Sequence, residues 1–163
     1  MSVTIRPARL ADAAGMYRAW QALRQYNAGR DPRIVPTPVS EEEFVVAVRE
    51  ILARSTSAAF VAENGGKVVG FVSVSVEAGQ PDRLPERHAT IGYVYVDSAH
   101  RRGGVGRQLF EAVAGWASKQ DGVSHMEMAV IAGDTEAAAF WQSIGFTPFI
   151  QRLWAPLDGA GRP

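Results

Sequence analysis

Arg101-Arg102-Gly103-Gly104-Val105-Gly106 is the stretch whose residue types and order bear most directly on chemistry. It separates an apolar, β-prone run at 91–96 from a helix-prone run at 106–119. A glycine turn that opens a helix presents backbone N–H groups with no intrahelical carbonyl to receive them. Together with the positive end of the helix dipole, those donors bind phosphate or pyrophosphate. Arg101, Arg102 and Arg107 add mobile positive charge around the turn. The expectation is a grip on a phosphorylated ligand, through Gly103, Gly104, Val105, Gly106 and the three arginines.

The turn must be positioned by a fold that 163 residues can build as one domain, residues 1–163 with a core over about 3–157. Lys+Arg and Asp+Glu are both 17, giving zero net charge, which argues against broad nucleic-acid or membrane electrostatics. No cysteine is present, which removes disulfides, a thiol nucleophile and Cys-ligated zinc. The start of the chain lacks the basic-then-apolar plan of a signal peptide, and no uncharged apolar run approaches the roughly 20 residues of a membrane span. The expectation is a soluble cytoplasmic protein.

Alternation and helical spacing set out the elements. A short strand is expected at 3–6, ended by Pro7, and a helix from Asp12 to about Tyr26 with Met16, Trp20 and Leu23 on its stripe. Residues 27–38 carry three prolines and a glycine and read as a loop. Ser40 with Glu43 is a capping box for a helix that buries Phe44, Val48, Ile51 and Leu52. Strands at 58–63 and 67–76 flank Asn64-Gly65-Gly66, a hairpin signal. An exposed connection at 77–87 leads to a strand at 88–96, and the helix after the glycine turn carries Val105, Leu109, Ala112, Val113 and Trp116 on one face. Gly115 within that helix costs about 1 kcal/mol relative to alanine, so close packing is expected there. A strand at 124–131, a helix at 134–144 closed by Gly145, a last strand within 146–157 and a frayed end from Asp158 complete the chain. The order predicts an α/β (α+β) domain: a mixed sheet of six to seven strands with about four helices on both faces.

Two nucleotide motifs fit the turn poorly. A dinucleotide fingerprint needs a third glycine where Leu109 stands, and a P-loop needs Gly-Lys-Ser/Thr where the chain reads Gly106-Arg107-Gln108. The run 96–106, however, resembles the acyl-CoA pyrophosphate loop of the GNAT superfamily of N-acetyltransferases, Arg/Gln-x-x-Gly-x-Gly/Ala, with Arg101, Gly104 and Gly106 at its key positions. The run from Asp134 through Ala137, Phe140, Trp141, Ile144 and Gly145 to Phe146 is similar to that family's Asn-x-x-Ala-x-x-Phe-Tyr-x-x-x-Gly-Phe block. The two blocks stand at the family's spacing, and the order of elements matches its fold across nearly the whole chain. Ser98 replaces a common proline, Asp134 the usual asparagine, and Trp141 the tyrosine commonly proposed to protonate the leaving thiolate; an indole N–H is no practical acid.

The resemblance implies a sheet splayed between the fourth and fifth strands, with Val94, Tyr95 and Val96 bonding the pantetheine arm of acetyl-CoA like an added strand. It implies acetyl transfer from acetyl-CoA, as co-substrate, to a primary amine of a small molecule or peptide by direct attack in a ternary complex. Asp134, Ala137, Phe140 and Trp141 complete the implied cofactor contacts. A backbone N–H near Val94 can polarise the thioester oxygen. The amine must lose a proton, yet Thr90 occupies the place of the family's glutamate; Glu86 and His88, just upstream, are the candidate bases, and Tyr93 can contribute a phenol. Tyr26 and Trp20 are candidates for the acceptor pocket. His100 and His125 have no second ligand at metal spacing, so no metal is expected. The implied partners are a small-molecule or peptide amine and a second copy of the chain, with neither nucleic acid nor membrane. The alternatives are a non-catalytic acyl-CoA-binding module and a nucleotide-binding domain.

Overall fold

The computed structural model describes residues 2–82 and 85–157. The chain divides into two compact units, Met1–Gly133 and Asp134–Pro163. Among the described residues no helix is long and apolar enough to cross a membrane.

The first unit holds a five-stranded mixed sheet: β1 (Thr4–Pro7), β2 (Ser57–Asn64), β3 (Lys67–Ala78), β4 (Arg87–Val96) and β5 (Val123–Met128), in that spatial order. The first three pairings are antiparallel and the last, β4 with β5, is parallel. The six to seven strands expected are therefore five. The missing strand falls in residues 146–157, which run without ladder partners among the described residues. The expected frayed end from Asp158 lies outside the described residues.

Helices α1 (Ala13–Arg30), α2 (Glu41–Ala53) and α3 (Val105–Ala117) belong to this unit. A 3-10 turn, Leu10–Asp12, leads into α1. α1 continues to Arg30, four residues beyond the sequence expectation, because residues 27–30 lack proline and nothing stops the helix before Pro32. α2 begins as read: the Ser40 hydroxyl accepts from Glu43 N–H while the Glu43 carboxylate accepts from Ser40 N–H.

Alternation gives the sheet two covered faces. On one face Ala59, Val61 and Phe71 pack with Met16 and Ala19 of α1 and Phe44 and Val48 of α2. On the other lie Ala62, Val72, Val74, Ala89 and Ile91, all buried. There α3 packs on β2 and β3 with Val105, Leu109, Val113 and Ala117 buried. Trp116 is only half-buried and Ala117 takes its place on the stripe. A Cβ at Gly115 meets nothing within 4 Å, so the expected close packing there is absent.

The β2–β3 hairpin turns on Gly65 and Gly66 alone, with φ of 57° and 78°, the two positive angles a type I′ turn requires. Arg6 ties three elements together. It holds Asp12 through two bonds of 2.8 Å and Glu63 of β2 through one of 2.8 Å. Hydrogen bonding from Arg6, above all, holds the Asp12 carboxyl below its ordinary 3.8. A depressed folded-state value contributes stability that is complete above the unfolded value and is lost as pH falls through the folded one. Unfolding free energy should therefore drop from pH 5 toward pH 2 by more in the parent than in Asp12→Asn, as read by urea titration at each pH. Parallel curves would show that the Arg6–Asp12 pair adds nothing.

The second unit contains α4 (Thr135–Ser143). Asp134 caps it, its Oδ1 accepting from Ala137 N–H at 3.0 Å. Gly145 follows with φ of 105°, as a helix-ending glycine should.

Candidate functional site

β4 is the strand on which the site is built, and it is irregular. Val72 pairs with Val94 and Val74 with Ile91, so Gly92 and Tyr93 together oppose the single residue Ser73. This is a β-bulge, with one extra residue in β4. Buried Ser73 fills the broken ladder: its hydroxyl accepts from Tyr93 N–H at 3.0 Å. Position 92 must be small, since a Cβ there would stand 3.0 Å from Ser73 Oγ.

The bulge coincides with the end of the parallel pairing. β5 accompanies β4 only as far as Ile91↔Met128. Backbone groups of a strand alternate in the edge they face. Tyr93 N–H and Asp97 N–H point to β3, the latter bonding Val69 O at 2.9 Å. Val94 and Val96 therefore turn their N–H and C=O to the side that β5 has left. The Val96 carbonyl accepts there from Arg101 Nε at 2.8 Å. Pairing between the fourth and fifth strands thus ends at Ile91, in the place where the family resemblance implies a splay.

At the open end stands the N-terminus of α3. Gly104 is its cap, with φ of 82° and no side chain bonded to the helix amides. The first intrahelical bond is from Gln108 N–H to Gly104 O, so the N–H groups of Val105, Gly106 and Arg107 have no helical partner. Arg102 adopts φ of 63°, the one non-glycine residue in the left-handed region among those described. Strain of this kind is held at ligand clamps and other functional sites by the surrounding structure. Arg102, Gly103, Gly104 and Arg107 are exposed, whereas Val105 is a core residue facing away. Arg101 is folded back: its guanidinium lies 5.6 Å from the ring centres of both Tyr95 and Tyr26. The expected pyrophosphate contacts are thus gathered at one helix end, except that Val105 can offer only its backbone and the Arg101 guanidinium is turned to Val96 O and the tyrosine rings.

The acceptor-side residues separate. Trp20 sits among Tyr17, Phe44 and Tyr93, meeting the Tyr93 ring edge-on at 6.2 Å. Tyr93 is 47% exposed, so this aromatic group reaches the surface on the α1 face. Tyr26 lies instead beneath Arg30 and Arg101, at the glycine-turn end of α1. Glu86 is exposed on the connection before β4, where its carbonyl accepts from Gly79 N–H. His88 is drawn inward, its ring stacked on that of His125 at 5.5 Å. Nε2 of His125 lies 2.8 Å from Glu127 Oε1, and Nε2 of His88 lies 3.6 Å from Glu127 Oε2. The sequence spacing offered His125 no partner, and the fold supplies two. Sequence reasoning weighed His125 only as a metal ligand and did not consider Glu127.

His100 is no part of this group. Asn64 Nδ2 donates to its Nε2 at 3.0 Å, which ties the segment before the glycine turn to the β2–β3 hairpin.

In the second unit the residues of the other sequence block have evident local roles. Asp134 is the α4 cap and Ala137 N–H its donor. The Trp141 ring packs against Phe140 and Phe146 at about 5 Å.

A family model described as the acetyltransferase (GNAT) family matches residues 18–146. The chain belongs to that family. No curated protein matches it. A solved structure described as a transcriptional regulator from Bacillus halodurans C-125 is 26% identical, with a TM-score of 0.75 over 96% of this chain and all of that one. Glucosamine-6-phosphate N-acetyltransferase from Arabidopsis thaliana is 20% identical, with a TM-score of 0.74 over 97% of this chain and 100% of that one. An aminoglycoside N-acetyltransferase solved with CoA is 18% identical, with a TM-score of 0.73 over 96% and 95%. The last two likenesses speak to the fold. Membership of the GNAT family indicates acyltransferase activity.

Proposed function

We propose that the protein transfers the acetyl group of acetyl-CoA to a primary amine of a small molecule or peptide, by direct attack while both substrates are bound. The observation that carries the reading is the succession of three features along β4 and into α3. The β4 bulge and the loss of β5 pairing after Ile91 coincide, and the uncapped start of α3 follows the end of that strand.

The residues present fit the donor. The diphosphate of acetyl-CoA suits the N–H groups from Gly103 to Arg107, reinforced by the helix dipole and by Arg102 and Arg107. The turned-out N–H groups of Val94 and Val96 and the C=O of Val94 suit the amides of the pantetheine arm. Val94 N–H, nearest the bulge, is the donor best placed to polarise the thioester carbonyl. When bound, acetyl-CoA supplies the activated acyl group. The chain's own part is to bind it, orient the carbonyl and accept a proton from the amine.

The test is release of free thiol from acetyl-CoA in the presence of a panel of amines, beside calorimetry of acetyl-CoA binding. Amine-dependent thiol release is the expected result. A second reading, an acyl-CoA-binding module without turnover, is favoured by the neighbour described as a transcriptional regulator and by Trp141 in place of a phenol. Binding with no thiol release on any amine would select it.

A further inference from the structure

We propose that Glu127, held between His88 and His125, is the proton acceptor for a cationic alkylamine, and that His125 passes the proton to solvent. The assignment rests on the acetyltransferase reading above and names the acceptor class and the base that reading leaves open.

The cluster lies on the acceptor side of the sheet. Ser73 pairs with Ala59, whose face is covered by α1 and α2. Ser75, Glu77 and their partners Thr90 and His88 follow on the same face by alternation. Glu127 is the parallel neighbour of Thr90 and shares that face, as does the Trp20–Tyr93 contact. The carboxylate absent from position 90 is thus delivered from the next strand, one strand spacing away.

Order along the strands assigns the roles. Glu127, level with Thr90, is nearer the bulge than His88 is. Val94 stands four residues beyond Thr90, with one residue taken up by the bulge, which is roughly 10 Å at about 3.3 Å per residue. That span accommodates the attacking nitrogen with a bridging water, within the reach expected of a general base. His125, 37% exposed against 15% for His88, is the outlet. The 2.8 Å between His125 Nε2 and Glu127 Oε1 is a hydrogen-bond distance. Two ligands of one metal ion, each near 2.1 Å from it, would stand further apart.

Charge selects the acceptor. Among the described residues, the ionisable groups clustered with Glu127 are His88 and His125, with Glu77 paired to His88 on β3, while Arg24 lies over the Trp20 ring at the aromatic end of this face. Glu77 is exposed and accepts from Ser75 Oγ at 2.6 Å. Two carboxylates attract an alkylammonium ion and repel a phosphate. The amine arrives as R–NH3+ and gives one proton to Glu127, which His125 relays to water. The free nitrogen pair forms the C–N bond, the C–S bond breaks, and the second nitrogen proton goes through water to the leaving sulfur. The products are the acetamide, CoA thiol and one released proton.

Glu127→Gln keeps the shape and removes the acceptor. With spermidine or kanamycin as probe, its kcat/KM should fall about 100- to 1,000-fold, while calorimetry gives acetyl-CoA binding unchanged and spermidine binding to the CoA-loaded protein weakened. His125→Ala should lose about tenfold, distort the acid limb of the pH–rate profile and recover with added imidazole, which a purely structural role would not do. Glucosamine 6-phosphate should be a far poorer acceptor than spermidine. A wild-type rate in Glu127→Gln, loss of wild-type activity on adding a chelator, or preference for the sugar phosphate would overturn the proposal. So would a wild-type protein that acetylates other amines and no cationic probe. If the wild-type protein gives no heat with acetyl-CoA, the acetyltransferase reading itself fails.

Discussion

Gly104→Glu should bind acetyl-CoA at least 100-fold more weakly than the parent, measured by titration calorimetry. Two causes act together. Position 104 has φ of 82°, which an L side chain adopts at a cost of about 1–2 kcal/mol. The new carboxylate would also stand among the amides of Val105, Gly106 and Arg107 and satisfy them from within the chain, as Asp134 does for α4. The like charge then repels the diphosphate. Gly104→Asn separates the two, because asparagine tolerates this backbone region and carries no charge. It should retain more affinity than the glutamate variant. Equal affinity in parent and Gly104→Glu would remove the diphosphate from this helix end.

Phe71→Ala should cost about 3–5 kcal/mol of unfolding free energy, read as a large fall in the urea midpoint with an unchanged slope. Phe71 is 1% exposed and lies at the centre of β3, where β2, α1 and α2 converge on it. It pairs with Val61 on one side and with Tyr95 on the other. The cavity would open beside Tyr95 of β4. Because total stabilities run near 5–15 kcal/mol, the variant should also lose activity at temperatures the parent tolerates. A midpoint within experimental error of the parent would show that the core is not centred there.

Much of this architecture was legible because strong local signals agreed with their surroundings. Ser40 with Glu43, and Gly65-Gly66 between apolar alternations, specify an N-cap and a two-residue turn whatever else the chain does, and both are realised. The glycine turn was legible for the same reason: Gly104 is required by a backbone angle and is followed at once by the helix. The end of α1 was misjudged because propensity near residues 27–30 is weak and the next proline decided where the helix stops. The last strand was misjudged because the apolar content of residues 146–157 gives no information on whether an edge is available for pairing. Phe149, Ile150, Leu153 and Trp154 remain exposed there.

The site divides along the same line. The groups proposed to act through their own backbone could be read from sequence. Those that act by meeting across strands could not, because the register of β4 against β5 decides which side chains meet. Nothing in the spacing of His88 and Glu127, 39 positions apart in the sequence, announces that they meet. One signal was available and passed over: Gly92 inside an aromatic and β-branched strand marks a bulge. Glu86, chosen for its nearness to β4 in sequence, is exposed on a loop, whereas Glu127 is the parallel neighbour of Thr90 on the adjoining strand.

The most direct test of the central claim is a titration of the 15N-labelled protein with acetyl-CoA, followed by amide chemical shifts. The account predicts that the amides of residues 103–107, together with Val94 and Val96, move furthest and saturate with one common affinity. Saturable shifts confined to other parts of the first unit, with these amides unmoved, would contradict it.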